Sequence, residues 1–146
     1  MLNGMSQLRL WLMPEEYVVC RLPVESGAAN IWLPAEGFWS LTRTLDEVSL
    51  VMAAGNAIPA GARVEKSWRM LRVKGTLDFS LVGILASLSA ALAQAGVSIF
   101  ALSTYDTDYI LVKSAQLVAA IDALSAAGFA LEHFQPAEEW VAGNEN

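Results

Sequence analysis

The longest uncharged stretch of the sequence divides into a helix and a strand on its pattern of hydrophobic positions. It runs over residues 79–105 and is long enough to cross a membrane. Its first half carries an apolar stripe at helical spacing and ends at Gly96, a residue suited to a helix C′ position. The stripe consists of Ile84, Leu85, Leu88 and Leu92. Residues 97–102 are apolar at almost every position, which is typical of a strand covered on both faces. The pattern therefore favours two elements over a membrane span.

Further elements flank this stretch. Strands are predicted at residues 67–73, 109–112 and 129–133. Ser114 is suited to cap a helix that ends at Gly128. The apolar face of that helix is predicted to hold Leu117, Val118, Ile121 and Leu124. The order β-α-β-β-α-β over residues 67–133 predicts an α+β, ferredoxin-like unit with a four-stranded antiparallel sheet and two helices on one face.

The first half of the chain is predicted to be an abbreviated copy of the second. A shift of 61 residues places residues 42–51 over residues 103–112, with hydroxyl, acidic and Leu-Val positions in common. Residues 23–35 contain Pro and Gly and leave room for one short helix. The predicted divisions are an N-terminal unit at residues 1–62, a complete C-terminal unit at 63–135 and an acidic tail at 136–146.

Composition and charge narrow the class of protein. The 146 residues include 9 Lys and Arg against 15 Asp and Glu, which gives a net charge of −6 and argues against nucleic-acid or anionic membrane partners. Only 16% of the residues are charged, so we expect a large core and a subunit interface. A single cysteine, Cys20, and the lack of a signal-peptide pattern favour a cytoplasmic protein.

Residue patterns for catalysis are weak. His133 is the only histidine, and no Cys or carboxylate cluster has the spacing of metal ligands. The segment GTLDFSLVG, residues 75–83, matches neither nucleotide-binding fingerprint. A Ser-His-Asp triad stays open, although no nucleophile elbow is present. Cys20 lies among apolar residues and is interpreted as a core residue rather than a redox centre. We therefore expect no enzyme, no metal and no cofactor.

Several segments together resemble the small bacterial tandem ACT-domain proteins. They are Phe38 to Val51, Trp68 to Gly75, Phe79 to Leu92 and Phe100 to Lys113. They are also similar to the ACT pairs of the CASTOR arginine sensors and, more distantly, of the aspartate kinases. The most specific part is STYDTDYILV at residues 103–112. The resemblance covers residues 8–131 and implies two ferredoxin-like ACT units, the first abbreviated in helix, that bind an amino acid for allosteric control.

The resemblance also implies a ligand site. A helix N-terminus suits the ligand carboxylate, because its first N–H groups are unpaired and its dipole attracts anions. In the related sensors the ligand lies between that helix turn and the loop after the second strand, closed by a strand of a neighbouring unit. The matching positions are Val82, Gly83 and Ile84 for the carboxylate, Thr104, Tyr105 and Asp108 in the loop, and Ser98 and Ile99 in the closing strand. Asp108 would hold the ammonium group.

Each position also has a structural interpretation. Gly83 suits a tight helix entry, Asp108 suits a turn, and Ser98 suits a packed hydroxyl. The arginine-sensing relatives have an acidic residue two positions before the glycine, where this chain has Leu81. Because an unpaired buried guanidinium is costly, the resemblance and the apolar neighbours Leu81, Val82 and Ile99 predict a free amino acid with a neutral side chain.

A homodimer is expected, because two helices can cover only one face of the sheet, whereas the strand at residues 97–102 is apolar at almost every position. The alternative is a monomer in which the first unit covers the second face. A different function is also open: an interaction module that keeps the ACT scaffold without a ligand.

Overall fold

The structure, a computed structural model, describes residues 8–26, 31–74 and 83–134. These residues form seven strands and two α-helices. In chain order they are β1 (Arg9–Leu22), β2 (Trp39–Arg43), β3 (Val48–Ala53), β4 (Arg63–Val73), α1 (Ile84–Gln94), β5 (Ile99–Ser103), β6 (Asp108–Lys113), α2 (Leu117–Ala126) and β7 (Ala130–His133). The α+β, ferredoxin-like class predicted from the sequence is confirmed.

The chain forms two compact units whose boundaries run through two long strands. Unit 1 comprises Met1–Pro14 together with Met70–Asn146, and unit 2 comprises Glu15–Arg69. The contacts therefore divide β1 and β4, whereas the predicted boundary at residues 62 and 63 lies just before β4. The reason is that Leu10 of β1 and Leu71 of β4 are buried in the same core.

The sheet of unit 1 has one strand more than predicted. Its order is β7-β1-β4-β6-β5. β1 pairs with β7 in parallel, with Arg9 opposite Ala130, whereas β5 and β6 form an antiparallel hairpin. The predicted four-stranded antiparallel sheet is wrong in this respect, because the pattern of residues 67–133 carries no sign of a strand supplied from residue 9.

Both helices of unit 1 pack on one face of this sheet, as predicted. Ile84, Leu88 and Leu92 of α1 are buried against strand residues from β1, β4 and β6. In α2, however, Val118 is 73% exposed, and Ala120 takes the buried position instead. The predicted stripe of α2 is wrong at this residue, since the packed positions at helical spacing are Leu117, Ala120, Ile121 and Leu124.

The predicted end of α1 is confirmed. Gly96 has φ +74°, its N–H donates to the main-chain oxygen of Ala93 at 3.0 Å, and Val97 donates to Leu92 at 2.9 Å. This pair of bonds is a Schellman motif. Within the described residues, no helix has both the length and the apolar character needed to cross a membrane.

Ser114 does not cap α2 as predicted. It begins a three-residue 3-10 helix, Ser114–Gln116, and α2 starts after Gln116, which makes no side-chain cap hydrogen bond. The Gln116 amide instead donates to the main-chain oxygen of Gly96 at 3.2 Å. The extra turn displaces the helix start by three residues and leaves Ser114 outside α2.

β5 was expected to be covered on both faces, and within this chain it is not. It lies at the edge of the sheet. Ala101 and Ser103 are exposed, and Ile99, Phe100 and Leu102 are half-buried. β6, the next strand inward, is buried on both faces from Tyr109 to Val112, as predicted.

Unit 2 is the abbreviated copy. Its strands have the order β2-β3-β1-β4, and Val18, Cys20, Leu50 and Met52 form its buried core. Its described part contains one three-residue 3-10 helix, Val24–Ser26, where unit 1 has α1. The expectation of at most one short helix between residues 23 and 35 holds for the described part of that segment.

The two hairpins correspond at a shift of 60 residues rather than the predicted 61. The last pair before the turn is Arg43 with Val48 in unit 2 and Ser103 with Asp108 in unit 1. At this shift the core residues Leu50 and Met52 match Ile110 and Val112. A shift of 61 would invert the faces of the strands, because side chains alternate between faces. The predicted shift was one residue too large because it superimposed the Leu-Val pairs at the ends of the two segments.

Candidate functional site

The turn between β5 and β6 is fixed by its own threonines. The N–H of Thr104 donates to the main-chain oxygen of Thr107 at 2.9 Å. The Thr104 hydroxyl donates to the same oxygen at 3.3 Å and accepts the N–H of Thr107 at 3.4 Å. Tyr105 follows in the turn and is 82% exposed. The turn thus presents an aromatic side chain to solvent on a fixed main chain.

Asp108 is the first residue of β6 and is half-buried. The hydroxyl of Ser103, opposite it across the hairpin, donates a hydrogen bond of 2.6 Å to its Oδ1. Among the described residues, no Lys or Arg forms an ion pair with Asp108. Its carboxylate is therefore oriented by a neutral donor and keeps its negative charge available for a cation.

Thr107 is a residue of this turn that the sequence interpretation missed. It is 3% exposed, and its hydroxyl donates to the main-chain oxygen of Val73, the last residue of β4, at 3.1 Å. Its neighbours Asp106 and Asp108 are indicated by the sequence because they carry charge. A hydroxyl in a polar turn gives no sequence signal that it is buried.

Gly83 precedes α1 and adopts the left-handed conformation, with φ +82° and ψ 0°. It is exposed, and a Cβ added there would have no atom within 4 Å. The first helical bond runs from Ser87 N–H to the Gly83 oxygen, so the N–H groups of the preceding three helical residues point out of the helix end. No acidic side chain lies in the first turn.

The remaining predicted site residues occupy different surroundings. Ile84 is buried in the core, Ile99 is half-buried against that core, and Ser98 is exposed. Leu81 and Val82 lie outside the described residues. The structure thus offers Gly83, Ser98 and the turn residues to solvent, but not Ile84, whose contribution is limited to its main-chain N–H.

Gly83 and Asp108 line different concavities of unit 1. Gly83 lines an open groove of about 410 Å³ along α1, which Ala127 and Phe129 also border. Asp108 and Leu88 line a space between the turn and the core that is too narrow to hold a water molecule. A ligand could therefore meet Asp108 only on its solvent side.

A group of cations and aromatic rings lies on the face of the unit 1 sheet opposite the helices. The guanidinium carbon of Arg72 is 5.3 Å from the ring centre of Trp11 and 5.8 Å from that of Tyr109. Lys74 lies 5.4 Å from the Trp11 ring and 3.3 Å from the carboxylate of Glu132. Trp11 is 4% exposed and Tyr109 9%, so this part of the face, on β1 and β6, is covered within the chain. β5, the strand from which the homodimer is predicted, consists of exposed and half-buried residues, so the homodimer stays a prediction.

Unit 2 has a separate apolar pocket of about 500 Å³ that the sequence did not indicate. Its lining includes Leu22, Ile31, Ile58 and Trp32, whose side chain is 62% exposed. Cys20 lies in the adjoining core and is fully buried, and this burial raises the pKa of its thiol. The interpretation of Cys20 as a core residue is confirmed. Among the described residues, no group of His, Cys, Asp and Glu could hold a metal ion.

These elements define a ferredoxin-like α+β protein with a fixed polar hairpin turn and an open helix start. A family model described as the ACT domain matches residues 63–126, which is β4 to the end of α2. Residues 63–126 therefore form an ACT domain. A second model, described as an N-terminal domain, matches residues 15–61. The family match supports a regulatory, ligand-binding protein.

Solved structures share the fold over most of this chain. A protein of Agrobacterium tumefaciens is 32% identical, with a TM-score of 0.76, over 90% of this chain and 96% of that one. A Vibrio cholerae protein of unknown function is 26% identical, with a TM-score of 0.64, over 79% of this chain and 85% of that one. The aspartate kinase of Clostridium acetobutylicum, an allosteric enzyme, shares the fold at 12% identity and a TM-score of 0.62, over 86% of this chain and 35% of that one. A comparison with curated proteins found no match.

Proposed function

We propose that this chain is a cytoplasmic amino-acid sensor of the ACT type, similar in function to the CASTOR sensors and without catalytic activity. The main support for this proposal is that the ACT match over residues 63–126 includes both the start of α1 and the fixed β5–β6 turn. The two family models meet between residues 61 and 63, which supports the proposed domains at residues 1–62 and 63–135, followed by the tail at 136–146.

The proposed position of the ligand carboxylate is the start of α1. The first three N–H groups of the helix have no partner within it, and together with the positive end of the helix dipole they favour an anion there. Gly83 leaves its surroundings open, and the first turn carries no acidic side chain that would repel a carboxylate. Leu81, Val82 and the N–H of Ile84 would complete this part of the site.

The proposed partner of the ligand ammonium is Asp108. Its carboxylate has a neutral hydrogen-bond donor, Ser103, and no cationic partner among the described residues, so an ammonium group would supply the missing charge. Thr104 and the exposed ring of Tyr105 would line the same side of the turn. The ligand would approach from solvent, because the space behind Asp108 is closed.

We propose that a second copy of the chain closes the site through β5. The strand lies at the sheet edge and carries no charged side chain between Ile99 and Ser103. An uncharged, apolar edge strand is a template for pairing with another chain. Pairing of two β5 strands would bring Ser98 and Ile99 of the second copy toward the site.

The proposed effector has a neutral side chain. A guanidinium would need a carboxylate beyond Asp108, and Leu81 stands where the arginine-sensing relatives have one. Apolar contacts from Leu81, Val82 and Ile99 would instead stabilise an aliphatic or aromatic side chain.

A thermal-shift panel of the twenty amino acids tests the proposal. Ligand at a hundred times its Kd should stabilise the fold by about 2.7 kcal/mol, which raises Tm by several degrees. Leucine, phenylalanine or another neutral amino acid should give the largest shift. A larger shift with arginine contradicts the specificity. If no amino acid raises Tm and Asp108→Ala changes nothing, the alternative of an interaction module without a ligand replaces the sensor.

A further inference from the structure

The β5–β6 turn of unit 1 is tied to the sheet interior by a hydrogen bond from Thr107 to Val73. Both residues are at most 3% exposed, and the donor-acceptor distance is 3.1 Å. Val73 ends β4, so the bond joins the turn to the point where the chain leaves that strand toward α1. A buried hydrogen bond of this kind is costly to lose, since neither group can turn to water instead.

The corresponding turn of unit 2 is held differently. At the shift of 60 residues that aligns the hairpins, Glu47 occupies the position of Thr107. Thr44 forms the same local bonds as Thr104: its N–H donates to the Glu47 oxygen at 2.9 Å, and its hydroxyl accepts the Glu47 N–H at 3.1 Å. The Glu47 carboxylate, however, lies on the surface, 4.0 Å from Nε of Arg21.

Surface ion pairs of this length contribute little, because both groups are well solvated and the charges are screened. The Arg21 side chain adds one exposed hydrogen bond of 3.3 Å to the main-chain oxygen of Asp46. The turn of unit 2 is therefore fixed within itself but only weakly to its surroundings. The turn of unit 1 has both its internal bonds and the buried tie to β4.

We propose that Thr107 is a positioning residue of the amino-acid site, and that the turn of unit 1, and not that of unit 2, takes part in binding. This inference rests on the proposed function. Thr107 is too buried to touch a ligand. It acts by holding two residues. One is Thr104, which shares with it one main-chain hydrogen bond and two bonds through the Thr104 hydroxyl, and the other is Asp108, its neighbour in the chain. Without the tie, fewer molecules have the turn in the binding conformation, and the apparent Kd rises in proportion.

The first test needs no ligand. Thr107→Val keeps the branched shape and removes the hydroxyl, whereas Thr107→Ser keeps the hydroxyl. We expect the Val variant to speed amide hydrogen exchange at residues 104 and 107 about tenfold, and the Ser variant to stay within about threefold. Unchanged exchange in the Val variant would mean that the bond does not hold the turn, and the inference would fall.

The second test is calorimetric titration with whichever amino acid raises the Tm of the unmodified chain most. Thr107→Val should raise Kd about tenfold and Thr107→Ser should largely restore binding. Thr104→Val and Thr44→Val form a matched pair, and only the former should weaken binding. If Thr104→Val and Thr44→Val change Kd equally, or if the Thr107 variants leave Kd unchanged, the inference is overturned and the proposed function is not. Failure of every amino acid to bind the unmodified chain overturns the proposed function, and the inference with it.

Discussion

Ser103 orients the carboxylate of Asp108 across the first residue pair of the β5–β6 hairpin. The hydroxyl donates a 2.6 Å hydrogen bond to Oδ1. A hydroxyl partner fixes the direction of the carboxylate without neutralising its charge. A lysine or arginine at position 103 would have formed an ion pair instead and removed the charge that an ammonium ligand needs. The pair therefore combines a fixed geometry with an available negative charge.

The charge of Asp108 should decide the affinity for amino acids. Asp108→Asn keeps the size of the side chain and removes the charge, so we expect the Kd of the best amino-acid ligand to rise about tenfold or more, as for other charge-assisted hydrogen bonds. Ser103→Ala removes only the orienting bond and should raise Kd about threefold. Isothermal titration calorimetry measures both values.

Asp106 is the matched control for this experiment. It lies two residues away in the same turn and is exposed. Asp106→Asn changes the net charge by the same amount, so it should leave the Kd unchanged if the effect of Asp108 is local. Equal losses in the two variants would indicate a general electrostatic effect and contradict a role for Asp108 as the ammonium partner.

Gly83 and Gly96, at the two ends of α1, separate backbone strain from ligand contact. Both have positive φ, and an added Cβ at either position would meet no atom within 4 Å. Substitution of either by Ala should therefore lower the free energy of unfolding by about 1 kcal/mol. Only Gly83→Ala places a methyl group beside the proposed carboxylate position, so only it should also weaken amino-acid binding. Urea unfolding and calorimetry measure the two effects; a loss of affinity in both variants would assign it to the helix as a whole.

The elements of unit 1 could be predicted because their signals are local. The stripe of Ile84, Leu88 and Leu92 has one period, and Gly96 marks the helix end by a conformation that glycine adopts at low cost. The place of β1 between β7 and β4 could not be predicted in this way. Its partner in β7 is more than a hundred residues away, and strand pairing over such a distance leaves no pattern in either segment.

The charged residue of the site, Asp108, could be predicted from the sequence, whereas the buried residue, Thr107, could not. Asp108 stands out in the sequence as a carboxylate next to a buried strand. Thr107 does not, because its importance lies in a bond to a main-chain oxygen 34 residues earlier. Likewise, hydrophobicity alone favours Val118 over Ala120, whereas the side of α2 that meets the sheet buries Ala120 and leaves Val118 exposed.

The apolar edge of β5 should support a homodimer. Sedimentation equilibrium is expected to give twice the mass of one chain. Ala101 is exposed on this strand, and Ala101→Lys should give a monomer, since a lysine on an edge strand opposes pairing with another chain. Val118→Lys adds the same charge at an exposed position of α2 and should leave the dimer intact. A monomer for the unmodified chain, or dissociation by Val118→Lys, would contradict the proposed interface.

Cys20 should make the fold less stable at high pH. Burial raises the pKa of its thiol above the ordinary value of 9.0, so the folded chain keeps the proton at a pH where the unfolded chain has released it. The unfolded state then binds fewer protons, and the free energy of unfolding falls as pH rises through 9.0 by at most about 1.4 kcal/mol per pH unit. Cys20→Ala has no thiol, so its free energy of unfolding lacks this dependence on pH. In urea unfolding under reducing conditions, the stability difference between the two proteins should therefore be constant from pH 6 to about pH 8 and shift in favour of the variant above pH 9. A difference that does not change with pH would show that the thiol titrates alike in both states.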